Sequence, residues 1–532
     1  MNKISRVVLG MSIVLAVGGG LFWYANETVS GREWQAKIRA LVYPIALESP
    51  KVKDEHCRIE AYGAVSGKEN DATTAINQAI TDCARQGGGI VVVPQGQWFT
   101  GGIRLASHIT LQLDAGAELI FDPNIHRYLP VVFTRFQGME LYNYTPLIYG
   151  FELENVAITG SGKLVGNGDE RAKWDGEGEF GAARAKLYEM AEQGVPVAER
   201  VFGEVIPGLR PSFVQCVRCR QVRFEDFTIE NGPFWTIHLI YSEDVMVRRI
   251  HVNTWSINTD GIVIDSTKNV VIEDSTFATG DDAIAIKSGT DADGRRVNMP
   301  SENIEIRRVH VTKGNSGTSL GSEMSGGIRN VVVRDSLFEH TGSGFRMKTN
   351  AGRGGFFQNI VVDNIEMKQI ESNAINIDFQ YHSVLKSKES FDTTVRNVAI
   401  KNIHGTGVKE AMINVDGIAH IDLNGLRMEH IHFEAVEYPV RIEYANNLVL
   451  KDISFTGTSN TGYVLEESKN ITVEDGGCQK QGVKSCVHII GKHTDNLQLR
   501  GMKWLPSQTP VIIEGGAFEK AVSIDDSLNT SL

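Results

Sequence analysis

Asn269-Val270-Val271-Ile272, Asn303-Ile304-Glu305-Ile306, Asn330-Val331-Val332-Val333 and Asn359-Ile360-Val361-Val362 repeat one phrase: polar, aliphatic, any residue, aliphatic. The phrase also occurs at Asn155-Val156-Ala157-Ile158 and Asp244-Val245-Met246-Val247. It returns from Asn397, Asn447, Asn470 and Asn496, with weaker copies at Gln221 and His420. Most steps between neighbouring copies are 23 to 29 residues. Apolar residues two positions apart share one face of a strand, so helical repeats are excluded. A fixed period of this size means stacked units. Each unit is too rich in short strands to be leucine-rich, and a propeller blade needs a longer period, about 40 residues or more. The reading is all-β: a single-stranded, right-handed parallel β-helix. The recurring Asn tolerates the left-handed backbone of a tight turn. Stacked amides can also hydrogen-bond along the solenoid axis.

A solenoid needs its first coil covered, because an open edge and an apolar core otherwise meet water. Asp71 offers an N-cap, and Ala72, Ala75, Ile76, Ala79, Ile80, Cys83 and Ala84 follow at helical spacing. Gly87-Gly88-Gly89 ends the run just before Ile90-Val91-Val92-Val93, which predicts a capping helix. Between Gly166 and Pro211 the period breaks, and Ala182-Ala183-Arg184-Ala185-Lys186-Leu187-Tyr188-Glu189-Met190 reads as a helical insertion. It either walls a groove or decorates the surface. The repeats place one β-helix domain over 56–525, the insertion at about 166–211, and a linker or short helix over 27–55.

Residues 1–26 read as a signal peptide or an uncleaved anchor. Lys3 and Arg6 precede the uncharged run Val7 to Ala25, the length of a short membrane span. Bulky Leu21-Phe22-Trp23-Tyr24 offers no clear cleavage site. Either reading exports the β-helix domain, to the periplasm or beyond, with the membrane touched only through this segment. Six cysteines are consistent with export. Cys478 and Cys486 are close enough to bridge. Cys216 and Cys219 form a C-x-x-C without a second pair or a nearby His pair, so strand thiols are favoured over zinc. Net charge is −12, which argues against a nucleic-acid partner. A polyanion would need a local basic patch.

Two acidic phrases carry the chemistry. They are Asn258-Thr259-Asp260-Gly261 and Thr279-Gly280-Asp281-Asp282-Ala283. Asp260 and Asp281 are 21 residues apart, about one coil. Residues one coil apart stack at a strand spacing of about 4.8 Å, so three carboxylates converge. Like charges that close push one group to keep its proton while another ionises, the division glycoside hydrolysis requires. Acids beside Gly in turns are the bland reading, and it wins for a lone Asp-Gly. Two phrases one coil apart favour function. Arg346 and Lys348 alternate onto one strand face further on and supply the cations an acidic sugar needs.

With these residues in view, the chain resembles glycoside hydrolase family 28, the polygalacturonases, most closely the bacterial exo-acting type. The likeness rests on Tyr62-Gly63-Ala64-Val65, Pro146-Leu147-Ile148-Tyr149, Gly232-Pro233-Phe234-Trp235-Thr236-Ile237-His238, the two acidic phrases with Ile284-Ala285-Ile286-Lys287-Ser288-Gly289, and Gly321-Ser322-Glu323. It implies that Asp260 and Asp282 activate water, that Asp281 protonates the leaving oxygen, and that Arg346 and Lys348 bind the galacturonate carboxylate. It implies inversion, with acids spaced widely enough for a water between them, and neither metal nor cofactor. Asn258 joins the substrate-binding set. The family's Gly-His-Gly is absent: Asn315 stands where the His would be, and Asn cannot carry a proton. His310, five residues upstream, is poorly placed to replace it. Phe234, Trp235 and His238 either line the groove or pack in the coil. Tyr381 and His382 are further candidates for sugar contact.

The expected function is hydrolysis of α-1,4-galacturonosyl linkages in pectin by a monomer. The insertion favours exo action. Rhamnogalacturonan-acting relatives also lack the His, so a rhamnogalacturonan galacturonohydrolase is the alternative. A pectate lyase would use calcium and a basic residue, and a β-helical adhesin would not need the acids.

Overall fold

The computed structural model describes residues 45, 47, 52–175, 180–381, 390–479 and 482–525. Residues 1–44, with the expected signal or anchor segment, and His382 lie outside them. Among the described residues no helix is long and apolar enough to cross a membrane.

Strands from His56–Arg58 to Val522–Asp525 form one wound, 34-stranded parallel arrangement. Each coil contributes to three ladders, in which a strand pairs with its equivalents in the coils before and after. The first ladder begins His56–Arg58, Gly89–Val93, Ile109–Leu113, Glu154–Thr159. The second begins Gly96–Thr100, Ala117–Phe121, Lys163–Val165. The third begins Ile103–Arg104, Ile148–Phe151, Val214–Val217. It continues through β1 (Ile237–Ile240), β2 (Ile262–Asp265), β3 (Ile284–Lys287), β4 (His310–Leu320), β5 (Thr341–Lys348) and β6 (Ile375–Asp378). Register is one to one, so like side chains stack: Ile262 on Ile284, Ile264 on Ile286, Phe345 on Ile375. These are fully buried and belong to one continuous core.

The repeated phrase has the conformation its Asn requires. Asn155, Gln221, Asp244, Asn269, Asn303, Asn330, Asn359, Asn397, Asn447, Asn470 and Asn496 all have positive φ, between 51° and 64°. The amide of Asn303 donates to Asn269, Asn330 to Asn303, Asn359 to Asn330 and Asn397 to Asn359, each at 3.0 Å. One copy is misplaced by the sequence reading. Asn397 lies opposite Gly425, φ 76°, in the flanking register Arg396↔Asn424 and Val398↔Leu426, so the copy falls there and not at His420. Glycine reaches that backbone without a side chain, and the phrase loses its polar marker.

The capping helix α1 spans Thr73–Arg85. Asp71 caps it from one position further out, accepting the Thr73 N–H at 3.0 Å and the Thr73 hydroxyl at 2.5 Å. Ala75, Ile76, Ala79, Ile80 and Cys83 are buried beneath it. Cys83 is disulfide-bonded to Cys57 in the first strand, a pairing the sequence reading missed because Cys83 passes as an apolar helix residue. Cys478 and Cys486 are bridged. Cys216 and Cys219 are buried thiols in and just beyond Val214–Val217.

The insertion supplies helix α2 (Phe180–Glu192). With the antiparallel hairpin Val132–Phe136/Met139–Asn143, α2 builds a second apolar cluster. The cluster includes Phe136, Leu187, Phe234, Trp235, Val263 and Ala285, so it covers the outer face of β2 and β3. Buried ion pairs and hydrogen bonds hold it to helix α3 (Asp291–Val297): Arg200 to Asp293 at 2.9 Å and the Tyr188 hydroxyl to Asp291 at 2.9 Å. The outward column of the third ladder runs Gln215, His238, Val263, Ala285, Ser319, Arg346, Asn376, Asn414, Arg441. It is buried through Ser319, half-buried at Arg346, buried again at Asn376, half-buried at Asn414 and exposed at Arg441. One half of this face is walled and the other half opens.

Candidate active site

Three carboxylates meet at the turns that lead into β2 and β3. Asp260 precedes β2, and Asp281 and Asp282 precede β3. One oxygen from each lies within 4.8 Å of the others. Main-chain bonds fix the stacking: Gly261 N–H donates to Asp282 O at 3.0 Å and Ala283 N–H to Ser316 O at 2.8 Å. Gly280 packs so close to the previous turn that an added Cβ would lie 2.1 Å from Ser256 O.

The three environments differ. Asp282 is buried but bonded to the Lys348 ammonium at 2.8 Å. Burial pushes its pKa up, and Lys348 and Lys287 outweigh that and hold it at about 2. Asp281 is the least buried of the three. Desolvation and the Asp282 charge raise its pKa, against Lys348. Its Oδ1 accepts the Asp282 N–H at 2.9 Å, with longer contacts from Asn258 at 3.4 Å and Asn315 at 3.5 Å to the carboxylate. Asp260 is 2% exposed. Burial and then the Asp281 charge push it well above the carboxylate range, and Lys287 opposes them from 4.0 Å. Its Oδ1 is buried and has no hydrogen-bond partner among the described residues. A buried carboxylate oxygen in that state is a position for a water.

Arg346 and Lys348 share a face of β5, as alternation requires. Lys348 spends its charge on Asp282. Arg346 bonds Asp378 at 3.2 Å, and both cations lie near the Tyr381 ring, at 5.3 and 5.5 Å. Asn315 stands beside the acids, with its amide 3.3 Å from Asp282 and its N–H donating to Asp281 O at 2.8 Å. Asn258 is oriented by Arg210, whose guanidinium bonds its side-chain oxygen at 3.1 Å. His310 pairs with Glu339 at 2.7 Å.

Two expected substrate contacts are corrected. His238 is 0% exposed and bonds Gln215 at 3.0 Å and Asp265 at 3.4 Å. Trp235 is 2% exposed and stacks with Phe234 inside the walled half. Both stand in a stretch that the hairpin and α2 cover, which the repeat alone does not reveal. Trp235 instead underlies Lys287, whose ammonium sits 4.9 Å from its ring centroid. Lys287 and Glu323 are site residues to which the sequence reading gave no role. They pair at 2.6 Å. Burial opposes both charges, and their mutual attraction outweighs it: the Lys287 pKa is raised and Glu323 is held at about 2. The signal was present, since Lys287 ends β3 two positions beyond Ala285 and Glu323 follows the next coil's strand.

Residues 208–449 match the sequence profile of glycosyl hydrolases family 28. A crystal structure of an exopolygalacturonase from Thermotoga maritima is 36% identical and superposes with a TM-score of 0.74, covering 80% of this chain and 96% of that one. A probable polygalacturonase of Vitis vinifera is 32% identical over 58% of this chain, and an exo-poly-alpha-D-galacturonosidase of Dickeya chrysanthemi is 26% identical over 65%. The matches span 60% and 62% of those two relatives' own length. A wound parallel fold with three clustered aspartates defines the class, and the chain belongs to glycosyl hydrolases family 28.

Proposed function

We propose that the protein hydrolyses α-1,4-galacturonosyl linkages of pectic polysaccharide, acting from a chain end. The observation that carries this is the division of protonation across the trio beside Arg346 and Lys348. Asp281, raised and facing outward, donates its proton to the leaving oxygen. Asp282, ionised at any working pH, accepts the proton of the attacking water. The unpartnered Asp260 oxygen holds that water. Arg346 grips the sugar carboxylate. Lys348 keeps Asp282 charged and lends positive potential to the same place.

A single displacement with inversion is the reading taken from the family resemblance. The trio's oxygens approach more closely than the roughly 6.5–9.5 Å usual for inverting pairs, so spacing does not support it here. The anomeric form of the first product, read by proton NMR, decides it. The walled half of the third ladder supports action at a chain end, because it covers the face at β2 and β3 and leaves the side toward the later coils less covered. The two disulfides suit an exported protein.

Asn315 favours a second reading, a rhamnogalacturonan galacturonohydrolase, since no proton-carrying group stands beside Asp281 in its place. Chromatography of products separates the two. Monomeric galacturonate from polygalacturonate is the expected result. Inertness toward polygalacturonate with release from rhamnogalacturonan selects the second, and inertness toward both overturns the hydrolase assignment.

A further inference from the structure

The turn that carries Asp281 is one rung of a column that climbs past the acids. Asn315 N–H donates to Asp281 O, and Asn315 lies opposite Gly342. Ser372 N–H donates to Gly342 O at 2.9 Å and Glu410 N–H to Ser372 O at 3.1 Å. Four rungs at about 4.8 Å each put Glu410 roughly 19 Å from Asp281 along the axis. There the open half of the face holds a hollow of about 800 Å³, lined among others by Glu410, Asn414, Glu437, Tyr438, Arg441 and Asn460. It therefore lies on the same coil face as the candidate active site, on the side away from the walled half.

Its chemistry is not that of the acids' surroundings. Near Asp281 the cations Lys287, Arg346 and Lys348 gather. In the hollow Glu410 and Glu437 face one cation, Arg441, which is already bonded to Glu443. The column running on from Lys348 is Asp378, Asp416, Glu443, Glu466. That column lies outside the hollow, whose own lining sets two carboxylates against one cation and so disfavours a free carboxylate. Tyr438 is 57% exposed, and side-chain amides and hydroxyls share the rest of the lining with Ala411, Pro439, Val440 and Val464. An exposed aromatic face with amides and hydroxyls around it suits an uncharged pyranose ring.

The geometry points to a distal subsite at Tyr438 that takes an uncharged sugar of the departing chain, either a methyl-esterified galacturonate or a neutral hexose. This rests on the chain-end hydrolase reading, with the polymer lying toward the later coils. The protein thus grips acid at the scissile bond and selects neutral sugar several units away.

The test is initial-rate kinetics of the full chain and of Tyr438→Ala on oligosaccharides whose first units are free galacturonate. Trimers are compared with hexamers that are fully free, hexamers methyl-esterified on the reducing-end half, and hexamers with neutral hexose there. The wild type is expected to favour both uncharged hexamers over the free one in kcat/KM by about three- to tenfold, the value of one aromatic contact. Tyr438→Ala is expected to remove that preference and leave trimers unchanged. Gain with only one uncharged hexamer identifies which source the subsite takes. A free hexamer equal to or better than the uncharged ones overturns the proposal, as does an equal loss on trimers and hexamers in Tyr438→Ala. Cleavage of none of these substrates overturns the hydrolase reading and this subsite with it. Thermal melts of Tyr438→Ala check folding, and Glu437→Gln gives an independent arm: it is expected to improve KM for the free hexamer alone.

Discussion

Two stacks of polar side chains stand in this molecule, asparagines repeated along many coils and three aspartates in two successive turns, and they solve opposite problems. In the asparagine column Asn303, Asn330 and Asn359 each give and take an amide hydrogen bond, so each rung there satisfies the next. In the aspartate column the stacked groups are all acceptors that repel when charged. Lys348 and Lys287, with the raised pKa of Asp281 and Asp260, make that stacking tolerable. Identical spacing yields scaffold where donor meets acceptor, and reactivity where acceptor meets acceptor.

The contrast breaks most severely at Asp281. Asp281→Asn turns the proposed proton donor into an amide, and kcat is expected to fall by about 10²–10⁴-fold. The melting temperature should hold, because the amide relieves repulsion. A variant with near-normal kcat would remove Asp281 from the role of acid.

Asp282→Asn strikes the pair that holds the column together. It removes the proposed base and leaves Lys348 buried without its counter-ion. The loss of activity should come with a stability loss of about 3–5 kcal/mol in urea melts, the cost of breaking a buried pair from one side. The direction with pH is fixed by the folded-state pKa of Asp282, about 2, which is below the unfolded value. Its contribution is therefore complete above roughly pH 4 and is lost as pH falls toward 2. Asp281 and Asp260 are raised, so each costs stability as pH climbs through its folded value. Asp260→Asn should accordingly abolish turnover yet raise the melting temperature, more at high pH than low.

Asn330→Ala tests the other column. It takes away a donor, an acceptor and the residue type that tolerates φ 56°. A loss of about 1–2 kcal/mol with unchanged kcat is expected from urea melts and steady-state assays. A large fall in kcat would mean the scaffold column reaches the chemistry. The smallest effect is expected at the boundary between the columns. Asn315→His should leave stability alone and add an inflection near about pH 6.5 to the pH–rate profile. A profile without it would show that the imidazole does not couple to Asp281.

The sequence made one of these columns legible and part of the other. The asparagines announce themselves because the left-handed turn restricts the residue type at every coil. The acids were legible because one period separates their phrases. What tunes them was less so. The pairing of Lys348 with Asp282 in place of a free cation, and the Lys287–Glu323 pair, depend on side-chain reach between coils, which spacing does not encode. His238 and Trp235 were misjudged because the hairpin that buries them lies about 100 residues earlier. Cys57 and Cys83 sit in a strand and a helix whose docking alone brings them together.

That last bond bears on how the molecule comes apart. In a stack whose coils touch only their neighbours, unravelling is cheapest at the two extremities. Cys57–Cys83 ties the cap to the first rung across 26 residues, and Cys478–Cys486 cinches a loop near the far end. Dithiothreitol should therefore expose both termini to proteases well before the middle yields. Trimming would advance inward coil by coil, and turnover would persist until the cuts reached the aspartates.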